Sequence, residues 1–431
     1  MRVLVLGAAV SGIAAARLAA RLGHRVTVYD RDPGVAPDVI AHGIAALAGQ
    51  WDRGNLDGVD LVVASPGFPE RSVPITDAYE EGVAVESEIE FAWRHLDLPT
   101  VAVTGTNGKT TVTGLVAEML RGSGIDALEV GNIGHPLSDV VGSGTEAIAV
   151  EVSSFQLQLC RSFRPDVAVI TNIAEDHLDW HGSAASYRSA KARIGMNQGP
   201  DDLIIFPESE KEAAEAASHS RARPVPIPVG RVVDGLGVGA DAIHLGGATV
   251  PLEEMRTTEP PFLIDIVLAA AAAGGIGGSP EAAAEVARRF EPGAHRRKRV
   301  LTHAGVDYID DSKATNPHAA IAAIDSYESV ILIAGGLAKG LDIATIVSRP
   351  SIRRAFVMGE SAAILASAAP DRTEIVDSMD EAVRRAVEVA VAGDVVLLSP
   401  GGASFDMFES YQERGDRFSS AVIAHTAGSD S

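Results

Sequence analysis

The sequence predicts an α/β protein of three domains in series, each built on a mostly parallel sheet. Three observations carry this reading. Short apolar strands alternate with helical patterns along the chain, the βαβ arrangement that yields parallel sheets. Two glycine-rich turns, one at Gly7 to Gly12 and one at Gly105 to Gly108, each join an apolar strand to a helix. The 431 residues suffice for two or three separate cores, and 46% of them are apolar, an ordinary share for a folded protein.

The first block, residues 1–97, opens with a strand at Val3–Leu6, a glycine turn and a helical pattern to Leu22. Strands at Arg25–Tyr29 and Leu61–Ala64 follow, the latter ending in Ser65-Pro66-Gly67. The second block, residues 98–293, places strands at Thr100–Val103, Ala147–Val152, Val167–Thr171 and Leu203–Phe206. From Glu210 to Leu252 the pattern is weak and rich in Pro, Gly and Ala, read here as small antiparallel strands. A helical segment at Glu281–Phe290 leads to Glu291-Pro292-Gly293, a hinge composition. The third block, residues 294–431, repeats the alternation with strands at Val306–Asp310, Val330–Ala334, Ala355–Met358 and Val395–Ser399.

The formal charge of −22 provides no long-range attraction for nucleic acid or an anionic membrane. A phosphorylated ligand would have to be held by local devices: glycine turns, helix N-termini and a few placed cations. The single cysteine, Cys160, excludes an internal disulfide, fits a reducing compartment and reads as a small core residue. MRVLVLG lacks the regions of a signal peptide, and the apolar stretch from Phe262 to Ile276 is interrupted by Asp265. The expectation is a cytoplasmic protein without a membrane span.

The strongest local signal runs from Val101 to Thr111, where an apolar strand passes through Gly105-Thr106-Asn107-Gly108 into Lys109-Thr110-Thr111 and a helix. Successive N–H groups in such a turn converge on phosphate oxygens, with the helix N-terminus adding to the field. Lys109 would neutralise phosphoryl charge and Thr110 would ligate Mg²⁺. A glycine turn with a solvent-facing lysine is the bland alternative; strand, loop and helix context together oppose it.

This loop has fewer residues between its glycines than the general P-loop. TGTNGKTT resembles the loop of the Mur ligases and the folylpolyglutamate synthetases. Further segments are similar to the Mur pattern: Gly131-Asn132-Ile133-Gly134, the run from Glu151 to Leu157, the NxxxDHxD arrangement from Asn172 to Asp179, and Tyr187 to Ile194 around Lys191. The resemblance implies a Rossmann-like first domain, a P-loop ATPase-like second and a Rossmann-like third. ATP binding then falls to Gly105, Thr106, Asn107, Gly108, Lys109, Thr110 and Thr111, with Arg296 and Asp311 from the third block. Nucleotide contacts drawn from two blocks imply domain closure before chemistry.

Two Mg²⁺ ions are implied, with Thr110, Glu151, His177 and Lys191 as ligands, Lys191 as N6-carboxylysine. Carbamylation turns a lysine cation into a carboxylate-like anion and requires the neutral amine. Lys109, Asn132, His177 and Lys191 are the implied catalytic set, Asn132 orienting the acyl group. Asp311 to Asn316, DSKATN, resembles the branch of the family that adds D-glutamate to UDP-N-acetylmuramoyl-L-alanine through an acyl phosphate. Asp176, Lys313, Thr315, Lys339, Ser404 and Tyr411 are then implied for D-glutamate. Val10, Ser11, Asp30, Arg31, Ser65, Pro66 and Gly67, with Asn132, are implied for the UDP-sugar. The enzyme is expected to act as a monomer on these small molecules, without nucleic acid.

Two positions depart from the family pattern. Leu337 stands where Asp is usual, and Asp265 lies near the place of an adenine-contacting Asn. A dehydrogenase is the alternative for the first glycine turn, but Ala9 replaces the middle glycine of that fingerprint, and TGTNGKTT, Glu151, His177 and DSKATN stay unexplained. A folylpolyglutamate synthetase and a catalytically inactive ligand-binding regulator are further alternatives.

Overall fold

Five parallel strands form the first sheet in the order β3-β2-β1-β4-β5: β1 (Arg2–Leu6), β2 (Arg25–Asp30), β3 (Ala45–Ala48), β4 (Leu61–Ala64) and β5 (Ala84–Ser87). The computed structural model describes residues 1–132 and 134–427. β1 and β4 are buried apolar runs, which is why they are legible in sequence. β3, with the sequence AALA and a largely exposed edge position, carries no strand period.

The second sheet contains β6 (Thr100–Thr104), β7 (Ala127–Gly131), β8 (Ala147–Glu151), β9 (Val167–Ile170), β10 (Leu203–Pro207) and β11 (Arg223–Ile227), all parallel, ordered β11-β10-β9-β6-β8-β7. The central strand β6 thus lies between β9 and β8, and all three end on the same side. The helix Lys109–Gly122 follows β6 after the turn Gly105–Gly108 and packs against the apolar helix Pro260–Gly275. The small antiparallel strands expected before Leu252 are β12 (Leu236–Val238), β13 (Ala242–Leu245) and β14 (Thr249–Pro251). The earlier part of that stretch differs: it holds the helix Lys211–Ser218 and β11, which extends the parallel sheet. Pro224 and Pro226 disguise β11 as a loop, and they are tolerated because the strand lies at the edge.

The third sheet, ordered β15-β16-β20-β17-β18-β19, contains β15 (Lys298–His303), β16 (Val306–Asp310), β17 (Val330–Gly335), β18 (Ile352–Met358), β19 (Thr373–Ile375) and β20 (Val395–Gly401). β15 alone runs antiparallel. Its basic start reads in sequence as a solvated face, and Lys298 is indeed exposed. Arg297, one residue before β15, is part-buried and donates to Ser326 Oγ at 3.0 Å.

The chain divides into two compact units: residues 1–173 with 185–290, and residues 174–184 with 291–431. The first two sheets share the first unit, joined through the helix Glu88–Trp93. The Glu90 carboxylate accepts the backbone N–H groups of Arg161, Ser162 and Phe163 and the Ser162 hydroxyl, at 2.5–3.0 Å. Hydrogen bonds to a charged group contribute about 1.5–3 kcal/mol each, so this buried acid is stabilising despite its desolvation. Arg17 adds a 3.1 Å ion pair to Asp139 across the same joint. Cys160 lies there too, buried 3.3 Å from Ser87 Oγ, and burial pushes its thiol up to about 12, as suits an inert core residue. No helix among the described residues is long and apolar enough to cross a membrane.

Glu88 is less well compensated. One carboxylate oxygen accepts the Ser138 N–H at 2.6 Å, while Oε2 is buried with no partner among the described residues. Burial raises its pKa from 4.5 to about 7. Because the folded-state value lies above the unfolded one, its contribution to stability is complete below pH 4.5 and is lost as pH rises through about 7. The shift corresponds to roughly 3 kcal/mol. Glu88→Gln should therefore flatten the thermal midpoint between pH 4.5 and 7 and raise it at pH 8. A wild-type pH slope retained in the variant would remove Glu88 as the cause.

Candidate functional site

The phosphate-type loop lies where β6 ends, and its shape is held by side chains from the neighbouring strand. Thr171 Oγ1 donates to the Asn107 carbonyl at 2.5 Å and lies 3.3 Å from the Thr104 carbonyl. Asn172 uses both ends of its amide on Asn107: Oδ1 accepts its N–H at 2.9 Å, and Nδ2 donates to its carbonyl at 3.2 Å. The Asn172 carbonyl accepts the Thr106 N–H at 2.9 Å. At Gly105, with φ +152°, a Cβ would lie 1.9 Å from Thr171 Oγ1, so only glycine allows this close approach.

Two lysines converge on the same loop. Lys109 Nζ donates to the carbonyls of Gly105 and Thr106 at 2.9 and 3.0 Å. Lys191, 1% exposed, comes from the helix Ala184–Ala192 and donates to the same Gly105 carbonyl at 2.6 Å. Its ammonium also lies 4.6 Å from the Tyr187 ring centroid, and the Tyr187 hydroxyl is 3.1 Å from Thr106 Oγ1. Lys191 is thus a buried part of the loop's surroundings, not a solvated helix lysine. Thr110 and Thr111 begin the helix after the loop and are part-buried.

Glu151 ends β8 and pairs in register with Val103 of β6. It is 2% exposed; Oε1 accepts from Asn132 Nδ2 at 2.9 Å, and Oε2 is buried with no partner among the described residues. A buried carboxylate oxygen without a donor is costly, and a hard cation is the partner its chemistry suits. Glu151 therefore suits a hard cation such as Mg²⁺, although no three His, Cys, Asp or Glu side chains converge among the described residues. Asp265 lies against the loop itself: a Cβ on Gly108 would be 2.9 Å from its Oδ1.

In the first sheet, the crevice forms where strand order reverses between β1 and β4. Val10 is exposed and Ser11 part-buried at the start of the helix Val10–Arg21. Ser65, with Pro66 and Gly67 after it, is 6% exposed and its Oγ has no partner among the described residues. Asp30 is occupied in shaping the turn, accepting the Ala8 and Asp32 N–H groups at 2.8 and 3.0 Å. The Arg31 guanidinium lies 5.9 Å from the Phe68 ring centroid.

The second unit gathers the remaining candidates. The Asp176 carboxylate accepts from Lys339 Nζ at 2.8 Å, from Asn316 Nδ2 at 3.2 Å and from the His177 N–H at 2.8 Å. Burial works to raise the Asp176 pKa, but the Lys339 charge, His177 and these hydrogen bonds together hold it below the ordinary carboxylate value. His177 and Lys339 both have left-handed backbones, at φ +52° and +53°, unusual for residues with side chains. Asp311 accepts from the Arg297 N–H at 3.2 Å and from Ser399 Oγ at 2.9 Å, and Arg296 is part-buried. Lys313 Nζ lies 5.2 Å from the Tyr411 ring centroid; Thr315 is part-buried and Ser404 is 2% exposed. At Leu337 the backbone bonds reciprocally to Ala403 at 2.9 Å in each direction, a use indifferent to the side chain.

Thr171, Asn172 and Tyr187 form the loop's clamp without a role assigned from sequence. A polar Thr-Asn pair closing an apolar strand was the available signal, but which strand adjoins β6 is not visible in one sequence.

The fold and site define a three-domain α/β protein whose central sheet carries a lysine-lined glycine loop of the phosphate-binding kind. Residues 103–228 match the Mur ligase middle domain, residues 295–402 the Mur ligase glutamate ligase domain, and residues 1–87 the Mur ligase MurD-like N-terminal domain. The chain is 42% identical to the UDP-N-acetylmuramoylalanine–D-glutamate ligase of Frankia casuarinae, over 98% of this chain and 94% of that protein. It is 38% identical to the enzyme of the same name from Pelotomaculum thermopropionicum, over 99% and 98% of the two chains. Among solved structures, MurF ligase from Thermotoga maritima, in complex with ADP, shares the fold at TM-score 0.61 and 14% identity, covering 94% and 95% of the chains. MurC from Thermotoga maritima does so at 0.57 and 17%, covering 98% and 99%. The chain belongs to the Mur ligase family.

Removing the clamp should loosen the loop. Asn172→Ala deletes two hydrogen bonds to Asn107 and should weaken ATP binding by roughly tenfold in titration calorimetry. Unchanged affinity would mean that the loop keeps its shape without this amide.

Proposed function

We propose that this chain joins D-glutamate to the alanine carboxylate of UDP-N-acetylmuramoyl-L-alanine at the expense of ATP, a step in peptidoglycan precursor synthesis, acting as a cytoplasmic monomer. The observation that carries the residue assignment is the convergence of Lys109 and Lys191 on the Gly105 carbonyl, beside the buried, half-satisfied Glu151. Family membership and the names of the full-length relatives support the substrates.

A carboxylate and an amine do not condense unaided in water, because the leaving oxygen is too basic. Phosphorylation solves this: a carboxylate oxygen of the alanine attacks the γ-phosphorus of ATP, releasing ADP and giving an acyl phosphate. The amine of D-glutamate then attacks the acyl carbon, loses a proton, and inorganic phosphate departs as the amide forms. The loop N–H groups and Lys109 meet the phosphoryl charge. Asn132 is assigned to the acyl group, while its bond to Glu151 fixes its orientation.

Bound Mg²⁺ supplies the charge neutralisation that crowded phosphate and carboxylate oxygens require; Thr110, Glu151, His177 and Lys191 are the residues assigned to hold two such ions. Lys191 fits this role as N6-carboxylysine. Two ammonium groups crowd one buried carbonyl, and carbamylation would replace one of those cations by an anion. Gly105, Thr106, Asn107, Gly108 and Thr111 complete the phosphate site, with Arg296 and Asp311 assigned to phosphate and ribose. Asp176, Lys313, Thr315, Lys339, Ser404 and Tyr411 are assigned to D-glutamate, whose two carboxylates call for cations and hydroxyls. Val10, Ser11, Asp30, Arg31, Ser65, Pro66 and Gly67 are assigned to the UDP-sugar. Residues 1–97, 98–293 and 294–431 accordingly serve as UDP-sugar, ATP and amino-acid domains.

Phosphate release should require the muramoyl substrate and D-glutamate together, with L-alanine, L-lysine and diaminopimelate inactive. Lys191→Ala should lose roughly a hundredfold or more in rate, and formate or acetate should restore part of it. Wild-type protein equilibrated with ¹³C-bicarbonate should show a carbamate resonance that the variant lacks. A fully active Lys191→Ala enzyme, or an identical spectrum, would falsify the carbamylation.

A further inference from the structure

Arg414 belongs to the helix Tyr411–Ala427, is 3% exposed and has no acidic side chain in ion-pair contact among the described residues. Its guanidinium is spent on backbone and hydroxyl oxygens. Nε donates to Ser312 Oγ at 3.0 Å, Nη2 to the Ser312 carbonyl at 2.8 Å, and Nη1 to the Gly402 carbonyl at 3.1 Å. Ser312 Oγ passes the connection on, donating to the Tyr411 carbonyl at 2.8 Å. One planar group therefore joins the turn after β16, the loop after β20 and the start of the last helix. These three segments carry Lys313, Ser404 and Tyr411.

Burying a cation without a carboxylate partner is costly, and burial pulls the Arg414 pKa down to about 10 against the opposing charges of Asp406 and Asp310. The group still carries its charge near neutral pH. The neighbouring residue shows how tightly the helix start is drawn in: a Cβ on Gly415 would lie 2.1 Å from His295 Nδ1 and 2.7 Å from Asp310 Oδ2. A lysine could not reproduce this bridge, because its ammonium is a point charge without a planar fork of donors.

We propose that Arg414 is the positioning residue of the amino-acid site, holding the Ser312–Lys313 turn, the Gly402–Ser404 loop and Tyr411 in one arrangement so that their contacts to the dicarboxylate form together. This rests on the assignment of Lys313, Ser404 and Tyr411 to D-glutamate. Arg414 acts through these neighbours and is not placed in contact with substrate.

The test is steady-state kinetics of Arg414→Lys, Arg414→Ala and Ser312→Ala, with Ser404→Ala as the reporter of the pocket itself. Arg414→Lys should raise KM for D-glutamate by about tenfold or more while KM for ATP and for the muramoyl substrate stay within about twofold. Ser312→Ala, a milder change that guards against misfolding of the arginine variants, should raise the same constant by roughly threefold. Added guanidinium should lower KM for D-glutamate in Arg414→Ala. If Ser404→Ala leaves that constant unchanged, the pocket assignment falls and takes the proposal with it. If Ser404→Ala raises it but the Arg414 and Ser312 variants do not, the positioning role alone is overturned. An equal rise in all three KM values, tracking only a lower thermal midpoint, would also overturn it.

Discussion

The carbonyl oxygen of Gly105 receives two lysine ammonium groups, and much of the central site depends on that convergence. It requires a loop bent tightly enough to turn the carbonyl towards both lysines, hence a glycine where a Cβ would collide with Thr171. It requires β9 beside β6, so that Thr171 and Asn172 reach the loop. It also requires the helix Ala184–Ala192 to return to the first unit after the excursion at residues 174–184. Sheet order, loop strain and helix placement are thus tied together at one atom.

Charge is handled locally throughout this acidic chain. With a formal charge of −22, the molecule as a whole repels anions, yet its proposed substrates are anionic. Cations are therefore drawn towards the interior and fixed at the sites: Lys109 at the phosphate loop, Lys339 on Asp176, Arg414 among carbonyls. Burial lowers the dielectric around each and lengthens the reach of its charge. The same device with opposite sign joins the first two sheets, where Glu90 collects four donors from one loop. Glu88, two residues earlier and short of donors, shows the cost of leaving the device incomplete.

Parallel sheets explain why the candidates cluster as they do. Strand C-termini in such sheets open onto crevices, and Ser65, Glu151, Thr171 and Asp311 all follow or close strands at those ends. The helix and loop that follow each strand then supply the lysines and hydroxyls. At Leu337, one of the departures from the family pattern, the reciprocal bonds to Ala403 place no demand on the side chain.

The sequence alone determined the fold class, most buried strands, the phosphate loop and the identity of the family, because buried parallel strands are continuous apolar runs and glycine turns recur in a few forms. It missed β3, β5, β7, β11, β15 and β19, which are short, proline-bearing, basic or edge strands whose residues answer to neighbours rather than to a period. Lys191 reads alone as a solvated helix lysine, and only the resemblance raised it; tertiary packing decided that it is buried on Gly105. The roles of Asn172, Glu90 and Arg414 were likewise decided by the fold. Each acts on residues far off in the chain, and hydrogen-bond partners separated by 65 to 102 positions leave no local pattern to read.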